Sequence, residues 1–181
     1  MDIRIKRTKK MLEDALLDLM KNKPVEKITP TELCRKATVN RNTFYTHYSS
    51  VTELYNEIEN RLINSVDESL NESNTTVEAI TVICRMLKSN KMVSDIIFSK
   101  HFSSKIMKQV FVMTDKFNMN KMNSENSKLS DNFKQMVSAY TIMGSAAALE
   151  CWVKNGMQES PEEVAEFIYT VSKTGSSAFI G

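Results

Sequence analysis

The chain has 181 residues, of which 41% are hydrophobic and 25% are charged, and its formal net charge is +2 at pH 7. These values are typical of a globular protein of one or two domains, and they argue against a fibrous or disordered chain. The three cysteines, Cys34, Cys84 and Cys151, form no CxxC pair. We therefore expect reduced thiols, and neither a disulfide framework nor a zinc ribbon.

The sequence offers no clear targeting or membrane segment. Its N-terminus, MDIRIKRTKK, is basic but lacks the apolar core of a signal peptide. No apolar run approaches the roughly 18 residues that a membrane span needs. We therefore expect a cytoplasmic protein with no membrane partner.

The small net charge hides an asymmetry along the chain. Residues 1–48 contain 11 Lys/Arg and 6 Asp/Glu, a net charge of +5, whereas residues 49–181 contain 13 Lys/Arg and 16 Asp/Glu, a net charge of −3. A positive N-terminal quarter on a slightly acidic body indicates that any contact with a polyanion belongs to that quarter.

Apolar residues recur throughout at helical spacing, and only 4 Gly and 3 Pro interrupt them, so the sequence predicts an all-α fold. A first amphipathic helix is predicted from about Arg4 to Lys21. The second has a strong start signal, with Thr29 as N-cap, Pro30 in the first helical position and Glu32 completing a capping box. Asn40 is the predicted N-cap of a third helix.

The stretch VNRNTFYTHY, residues 39–48, has two chemically different sides if it is helical. At about 100° per residue, Phe44 and Tyr48 share one side. Asn42 and Thr46 lie on the opposite side and Arg41 lies on its edge. The outer side carries hydrogen-bonding groups and no carboxylate, which is typical of a surface that faces a polyanion.

Six further helices follow. A fourth helix, at about 50–70, links a helix-turn-helix domain of residues 1–50 to a second helical domain of residues 51–181. The remaining predicted helices lie at about 75–89, 91–99, 103–119, 131–155 and 161–173. Residues 118–130 are rich in Asn, Ser and Lys and are predicted to form a loop. The total is about nine helices.

Three segments of the N-terminal quarter stand in a characteristic order: ITPTEL at 28–33, VNRNTFYTHY at 39–48 and SVTEL at 50–54. They match a pattern in which a capped short helix is followed by V-S-R-x-T-[LF]-Y-x-H-F and then by S-K-x-x-L. This order resembles the DNA-binding region of the TetR family of bacterial transcription regulators. Two positions depart from it. Thr38 stands where the family often has a turn glycine, and a threonine disfavours φ > 0; Val51 replaces a lysine that commonly contacts phosphate.

The resemblance implies a helix-turn-helix that reads double-stranded DNA with its third helix in the major groove. Arg41 then matches guanine and Asn42 matches adenine, and Thr46 and Thr31 can reach base edges. The expected phosphate-binding residues are Thr29, Thr43, Tyr45, His47, Lys6, Lys9 and Lys10. A solvated polar face remains the alternative, and His47 could simply cap the core beside Tyr48.

The resemblance also implies that the second domain binds a small effector and dimerises. Expected pocket residues are Met86, Phe98, His101, Phe102, Met107, Phe111, Tyr140 and Met143, although all could be ordinary core. The last two helices carry small residues that permit close helix approach, and the expected dimer interface contains Gly144, Ala147, Ala148, Cys151, Val164, Ile168 and Val171. These small residues could instead pack within one subunit.

Taken together, the sequence predicts a homodimeric, ligand-responsive repressor that binds a palindromic DNA operator. No HExxH, GxGxxG or GxSxG pattern is present, so we expect no enzyme activity, no cofactor and no metal site. Two alternatives stay open. A regulator controlled by a protein partner would show a packed second domain without a cavity, and a helical enzyme would show a cavity with converging ionisable groups.

Overall fold

The computed structural model describes residues 3–73, 75–89, 91, 94, 97–98, 104–124 and 129–180, and the regular elements in this part of the chain are all helical. The all-α prediction is therefore confirmed. The described α-helices are α1 Ile3–Met20, α2 Pro30–Ala37, α3 Arg41–Tyr45, α4 Val51–Glu72, α5 Thr76–Ser89, α6 Ser104–Ser124, α7 Asp131–Lys154 and α8 Pro161–Ile180, with a 3-10 turn at Val25–Lys27. The helix predicted at 91–99 lies largely outside the described residues.

The chain divides into two compact units. One comprises Met1–Leu62 with Lys91–Ser103, and the other comprises Ile63–Asn90 with Ser104–Gly181. The division falls inside α4, whereas the sequence prediction placed a boundary at residue 50 and treated this helix as the link.

The N-terminal unit is built around a dense apolar core. Leu12, Leu16, Leu33 and Phe44 are each fully buried, and Leu54 is 2% exposed. They belong to one cluster that joins α1, α2, α3 and the first half of α4. Burial of this apolar area is the main source of stability for helices as short as α2 and α3.

Local capping sets the limits of the two short helices, as the sequence predicts. The Thr29 hydroxyl accepts a hydrogen bond from the backbone N–H of Glu32 at 3.2 Å, and the Asn40 side chain accepts one from the N–H of Asn42 at 2.8 Å. Helix α2 ends at Ala37, and the next residue, Thr38, adopts the left-handed conformation with φ 55° and ψ 38°. A β-branched residue in this region is strained.

The C-terminal unit contains a second cluster, in which Val66, Leu70 and Ala79 are buried and Met113 and Phe117 pack against them. Helix α5 packs on α8, and α7 packs on both α6 and α8. The glycine at position 156 has φ +85° and lies just beyond the end of α7, in the position that favours glycine after a helix.

The predicted loop at 118–130 is wrong in its first half, because α6 continues to Ser124. Asn and Ser have lower helix propensity than Lys or Met, but here tertiary contacts keep the stretch helical. Met122 is 7% exposed, and the ammonium of Lys121 donates a hydrogen bond to the Thr76 hydroxyl at 2.6 Å. Residues 125–128 lie outside the described residues.

Helix α7 is long and apolar enough to cross a membrane by length and composition, with a mean hydropathy of 1.2 in its most apolar window, contrary to the sequence-based expectation. A single helix of this kind is weak evidence for a span, because helices that pack inside proteins pass the same test. Only 17% of that window is buried within the protomer, so much of its apolar surface lies open.

We predict that Thr38→Gly stabilises the protein. Glycine removes about 1–2 kcal/mol of left-handed strain, and its larger unfolded-state entropy costs about 0.5–1 kcal/mol, so the expected net gain in stability is up to about 1.5 kcal/mol. Urea unfolding measures it. The control is Thr52→Gly on the exposed side of α4, which should cost roughly 0.3 kcal/mol, the difference in helix propensity between threonine and glycine. A loss of stability at both positions would contradict the strain at Thr38.

Candidate nucleic-acid interface and cavity

Helix α3 is anchored by Phe44 and turns its polar side chains to solvent. Phe44 is fully buried, and its ring meets Tyr45 edge-on at a centroid distance of 5.2 Å. Arg41, Asn42 and Thr46 are exposed. The arrangement of inner and outer sides is the one that helical periodicity predicts.

Neighbouring groups orient two of these outer side chains. The guanidinium of Arg41 lies 5.9 Å from the ring centroid of Tyr45, one helical turn away, in a cation–π contact. The Thr46 hydroxyl donates to the carbonyl of Thr43 at 2.7 Å. Its oxygen remains able to accept a hydrogen bond, and its methyl remains able to make apolar contacts.

The other predicted DNA contacts surround this helix. Thr29 and Thr31 are exposed at the start of α2, and Tyr45 is 48% exposed. Thr43 and His47 are half-buried. The His47 ring lies 6.4 Å from the Tyr48 centroid, so it takes part in the aromatic cluster behind α3 while keeping an open side.

The three lysines of α1 have different surroundings. Lys9 is bound to the carboxylate of Glu57 at 3.0 Å, and its ammonium lies 5.1 Å from the centroid of the Tyr48 ring. Lys10 pairs with Asp14 at 2.9 Å. Among the described residues, no carboxylate lies within 4.0 Å of the exposed Lys6 ammonium, which therefore differs from the other two.

Several pKa shifts follow from these contacts. The hydrogen bond from Lys9 to Glu57 raises the pKa of the lysine. The Ser49 hydroxyl and backbone N–H both donate to the Glu53 carboxylate at 2.6 Å and lower its pKa. This carboxylate stays charged and holds the turn between α3 and α4. Burial raises the pKa of the Cys34 thiol.

A cavity of about 270 Å³ lies within the C-terminal unit. Helices α4, α5, α6, α7 and α8 all contribute to its wall. Its apolar lining residues are Val66, Leu70, Ala79, Ile80, Ile83, Phe117, Met122, Val137, Ile142, Ala146 and Leu149. Its polar lining residues are Thr76, Thr114, Asn118, Lys121, Thr141, Ser145, Tyr169, Ser172 and Lys173.

This lining differs from the pocket expected from the sequence. Tyr140 and Met143 are 70% and 63% exposed and lie outside the cavity, because their positions on α7 face away from it. Met86, Phe98 and Phe111 are half-buried but do not line it. His101 and Phe102, and the side chain of Met107, lie outside the described residues.

The expected dimer residues also separate into two groups. Gly144, Ala147, Cys151 and Val171 are exposed and Ala148 is half-buried. Val164 and Ile168 are instead only 7% and 3% exposed, because they are on the side of α8 that packs inside the unit. The exposed side of α8 presents Phe167, at 61% exposure, next to Val171.

Sequence reasoning missed the residues whose roles depend on distant partners. Glu57 is 48 positions from Lys9, and Thr76 is 45 positions from Lys121. Asn118 donates to the hydroxyls of Ser138 and Thr141, both at 3.4 Å. Residues 114, 118 and 121 recur at helical spacing, and this pattern could have predicted the side of α6 that lines the cavity.

We predict that Lys9 stabilises the fold and that Lys6 does not. Lys9→Met removes the ion pair with Glu57 and the contact over Tyr48, and should lower the free energy of unfolding by about 1 kcal/mol. Lys6→Met should change it by less than about 0.5 kcal/mol. Urea unfolding in low salt compares the two, and equal effects would show that the Lys9 contacts contribute nothing.

Comparison with known proteins gives a family and a fold. A family model described as "Transcriptional regulator C-terminal region", of the TetR type, matches residues 74–174. No curated protein sequence matches the chain.

Solved structures match over nearly the full length. The Dihydroxyacetone kinase operon activator DhaS is 21% identical, with 96% of this chain and 98% of that chain covered and a TM-score of 0.65. A TetR transcriptional regulator from Streptococcus agalactiae is 18% identical, with 93% and 95% covered and a TM-score of 0.64. The regulator FadR from Bacillus subtilis, solved with stearoyl-CoA, is 14% identical, with 92% and 98% covered and a TM-score of 0.65. The fold is shared with these regulators, and the family model covers more than half of the sequence: this chain belongs to the TetR family of transcriptional regulators.

Proposed function

We propose that the protein is a homodimeric, sequence-specific DNA-binding repressor whose operator affinity is controlled by a small molecule in its C-terminal unit. The observation that carries the proposal is the exposed, carboxylate-free polar side of α3 over a fully buried Phe44. Membership of a family of transcriptional regulators supports the same conclusion.

The exposed groups of α3 suit the major groove. The guanidinium fork of Arg41 matches the two acceptors of guanine, and the carboxamide of Asn42 matches the donor and acceptor of adenine. Thr46 and Thr31 supply further contacts to base edges. The hydroxyls of Thr29, Thr43 and Tyr45, with His47, Lys6 and Lys10, supply phosphate contacts that position the helix. We assign Lys9 mainly to holding α1 against α4.

A second copy of the chain is the proposed partner for the open side of α7 and α8. The exposed face comprises Phe133, Met136, Tyr140, Met143, Gly144, Ala147 and Cys151 of α7 with Phe167 and Val171 of α8. Apart from the adjacent pair Met143 and Gly144, these α7 positions recur at intervals of three and four residues, so they form one stripe. Contiguous exposed apolar area of this kind marks a protein interface.

The cavity supports control by a small molecule over control by a protein partner. A regulator that only docks a protein needs no such cavity, whereas five helices line a half-open cavity of about 270 Å³ here. The FadR structure similar to this one was solved with stearoyl-CoA. Another similar structure is named as an operon activator, so the direction of control is tested by transcription from a promoter carrying the operator.

We predict that the residues Arg41 and Lys6 affect DNA binding in different ways. Purified protein would first select its operator from genomic fragments, and anisotropy titrations at several salt concentrations would follow. Arg41→Ala should reduce discrimination at one base pair by about 1–3 kcal/mol. Lys6→Met should weaken binding to all sequences and reduce the salt slope by about 1. A wild-type DNA affinity that depends neither on salt concentration nor on DNA sequence would refute the proposal.

We predict that Gly144→Gln breaks the dimer while leaving the protomer folded. A Cβ at Gly144 meets nothing within 4 Å in the protomer, and glutamine favours a helix more than glycine does. Sedimentation measures the oligomeric state and circular dichroism measures the fold. Val112→Gln, at a 65% exposed position on α6, is the control and should remain dimeric. A dimer that persists in Gly144→Gln would place the interface elsewhere.

A further inference from the structure

We infer that the effector is an amphipathic monoanion, with an apolar body and one carboxylate that pairs with the ammonium of Lys121. The inference rests on the proposed function and specifies the chemical class that the cavity accepts. Four features of the cavity support it.

The charge of the described lining has one sign. Among the 20 lining residues that the structure describes, two are lysines and none is Asp or Glu. Lys173 is exposed, and its ammonium lies 5.5 Å from the ring of Tyr169, whereas Lys121 is half-buried in the cavity wall. A positive potential in an apolar enclosure favours anionic ligands over neutral ones and disfavours cations.

Lys121 has a neutral partner where a counter-ion would be expected. Its ammonium donates to the Thr76 hydroxyl at 2.6 Å, and among the described residues no carboxylate lies within 4.0 Å of it. An ammonium has three donors, so two remain after this bond. Partial burial of a charge without an opposite charge is unfavourable, and a ligand carboxylate would supply both the missing charge and a charge-assisted hydrogen bond.

The rest of the wall is suited to an apolar body. Val66, Ile80, Ile83 and Phe117 line it from three helices, and the polar groups of Asn118 and Thr141 bond one another at 3.4 Å. Most of the ligand surface would therefore gain from leaving water.

The volume limits the size of the part of the ligand that lies inside the cavity. Because a liquid water molecule occupies about 30 Å³, a cavity of about 270 Å³ holds on the order of ten non-hydrogen atoms. A short-chain or aromatic monocarboxylate meets this limit. A longer chain, such as the acyl chain of the ligand in the FadR structure, would extend out of the cavity, which is open to solvent on one side.

The test compares two probes of the same length, hexanoate and hexanol, by calorimetric titration of the full-length protein. We expect hexanoate to bind about tenfold or more tightly than hexanol, since only hexanoate forms a charge-assisted bond. Hexylammonium should bind more weakly than either. Equal affinity for hexanoate and hexanol, preference for hexylammonium, or no binding by any of these probes would overturn the inference.

Three variants test the role of Lys121. Lys121→Met should lower hexanoate affinity about tenfold or more and leave hexanol affinity unchanged. Lys121→Arg should keep the preference for hexanoate. Lys116→Met, at an exposed position of α6 outside the cavity lining, should bind both probes as the wild type does. An unchanged preference in folded Lys121→Met would remove Lys121 from the site, and the wild-type comparison decides the ligand class even if that variant does not fold.

The outcome is separable from the proposed function. Selection of genomic fragments and salt titrations are done without any probe, so they test DNA binding alone. DNA binding without a preference for hexanoate would refute only the ligand class. A preference for hexanoate without DNA binding would refute the proposed function and leave the chemistry of the cavity in place.

Discussion

The burial of Phe44 is the constraint on which the proposed DNA-reading surface depends. Helix α3 has five residues, far fewer than the 12–15 or so that an isolated helix needs to be even marginally stable in water. Complete burial of a phenylalanine contributes about 1.5–3 kcal/mol, and Phe44 is fully buried among residues of α1, α2 and α4. Once Phe44 points into the core, helical geometry places Arg41, Asn42 and Thr46 on the solvent side, because the direction of one side chain on so short a helix determines the directions of the others.

The sequence was sufficient where structure is determined locally. The Thr29 and Asn40 caps use acceptors and donors within three residues of each other, so their pattern is visible in the sequence and their hydrogen bonds form as expected. The buried side of α3 was predictable for the same reason. The left-handed Thr38 shows the opposite case: the surrounding helices hold a conformation that its own preference opposes.

The sequence was insufficient where long-range packing decides between two helical sides. The stretch after Asn118 has a loop-like composition, but burial of Met122 keeps it helical. Val164 and Val171 are chemically identical, yet one is 7% and the other 52% exposed. Nothing in the local composition separates an apolar side that packs within the protomer from one that remains open, so both the cavity lining and the open face needed coordinates.

Helix α7 shows why such a separation is difficult and why it matters. One side contributes Val137, Thr141 and Ser145 to the cavity, and the other exposes Tyr140 and Met143. At about 100° per residue these sets occupy different sides of the helix. A helix that is apolar on both sides has little amphipathic contrast, which explains its resemblance by composition to a membrane span. In the proposed dimer, a helix of the second copy covers the exposed apolar side of α7.

This double use of α7 places the proposed ligand and the proposed dimer contact on one rigid element. A ligand that binds two states equally shifts no equilibrium, so control needs a contact present in only one state. A hundredfold change in operator affinity requires about 2.7 kcal/mol of discrimination. A hydrogen bond to a charged group contributes about 1.5–3 kcal/mol. If the bond between Lys121 and a carboxylate forms only in the state that releases DNA, that one contact is large enough to account for the switch.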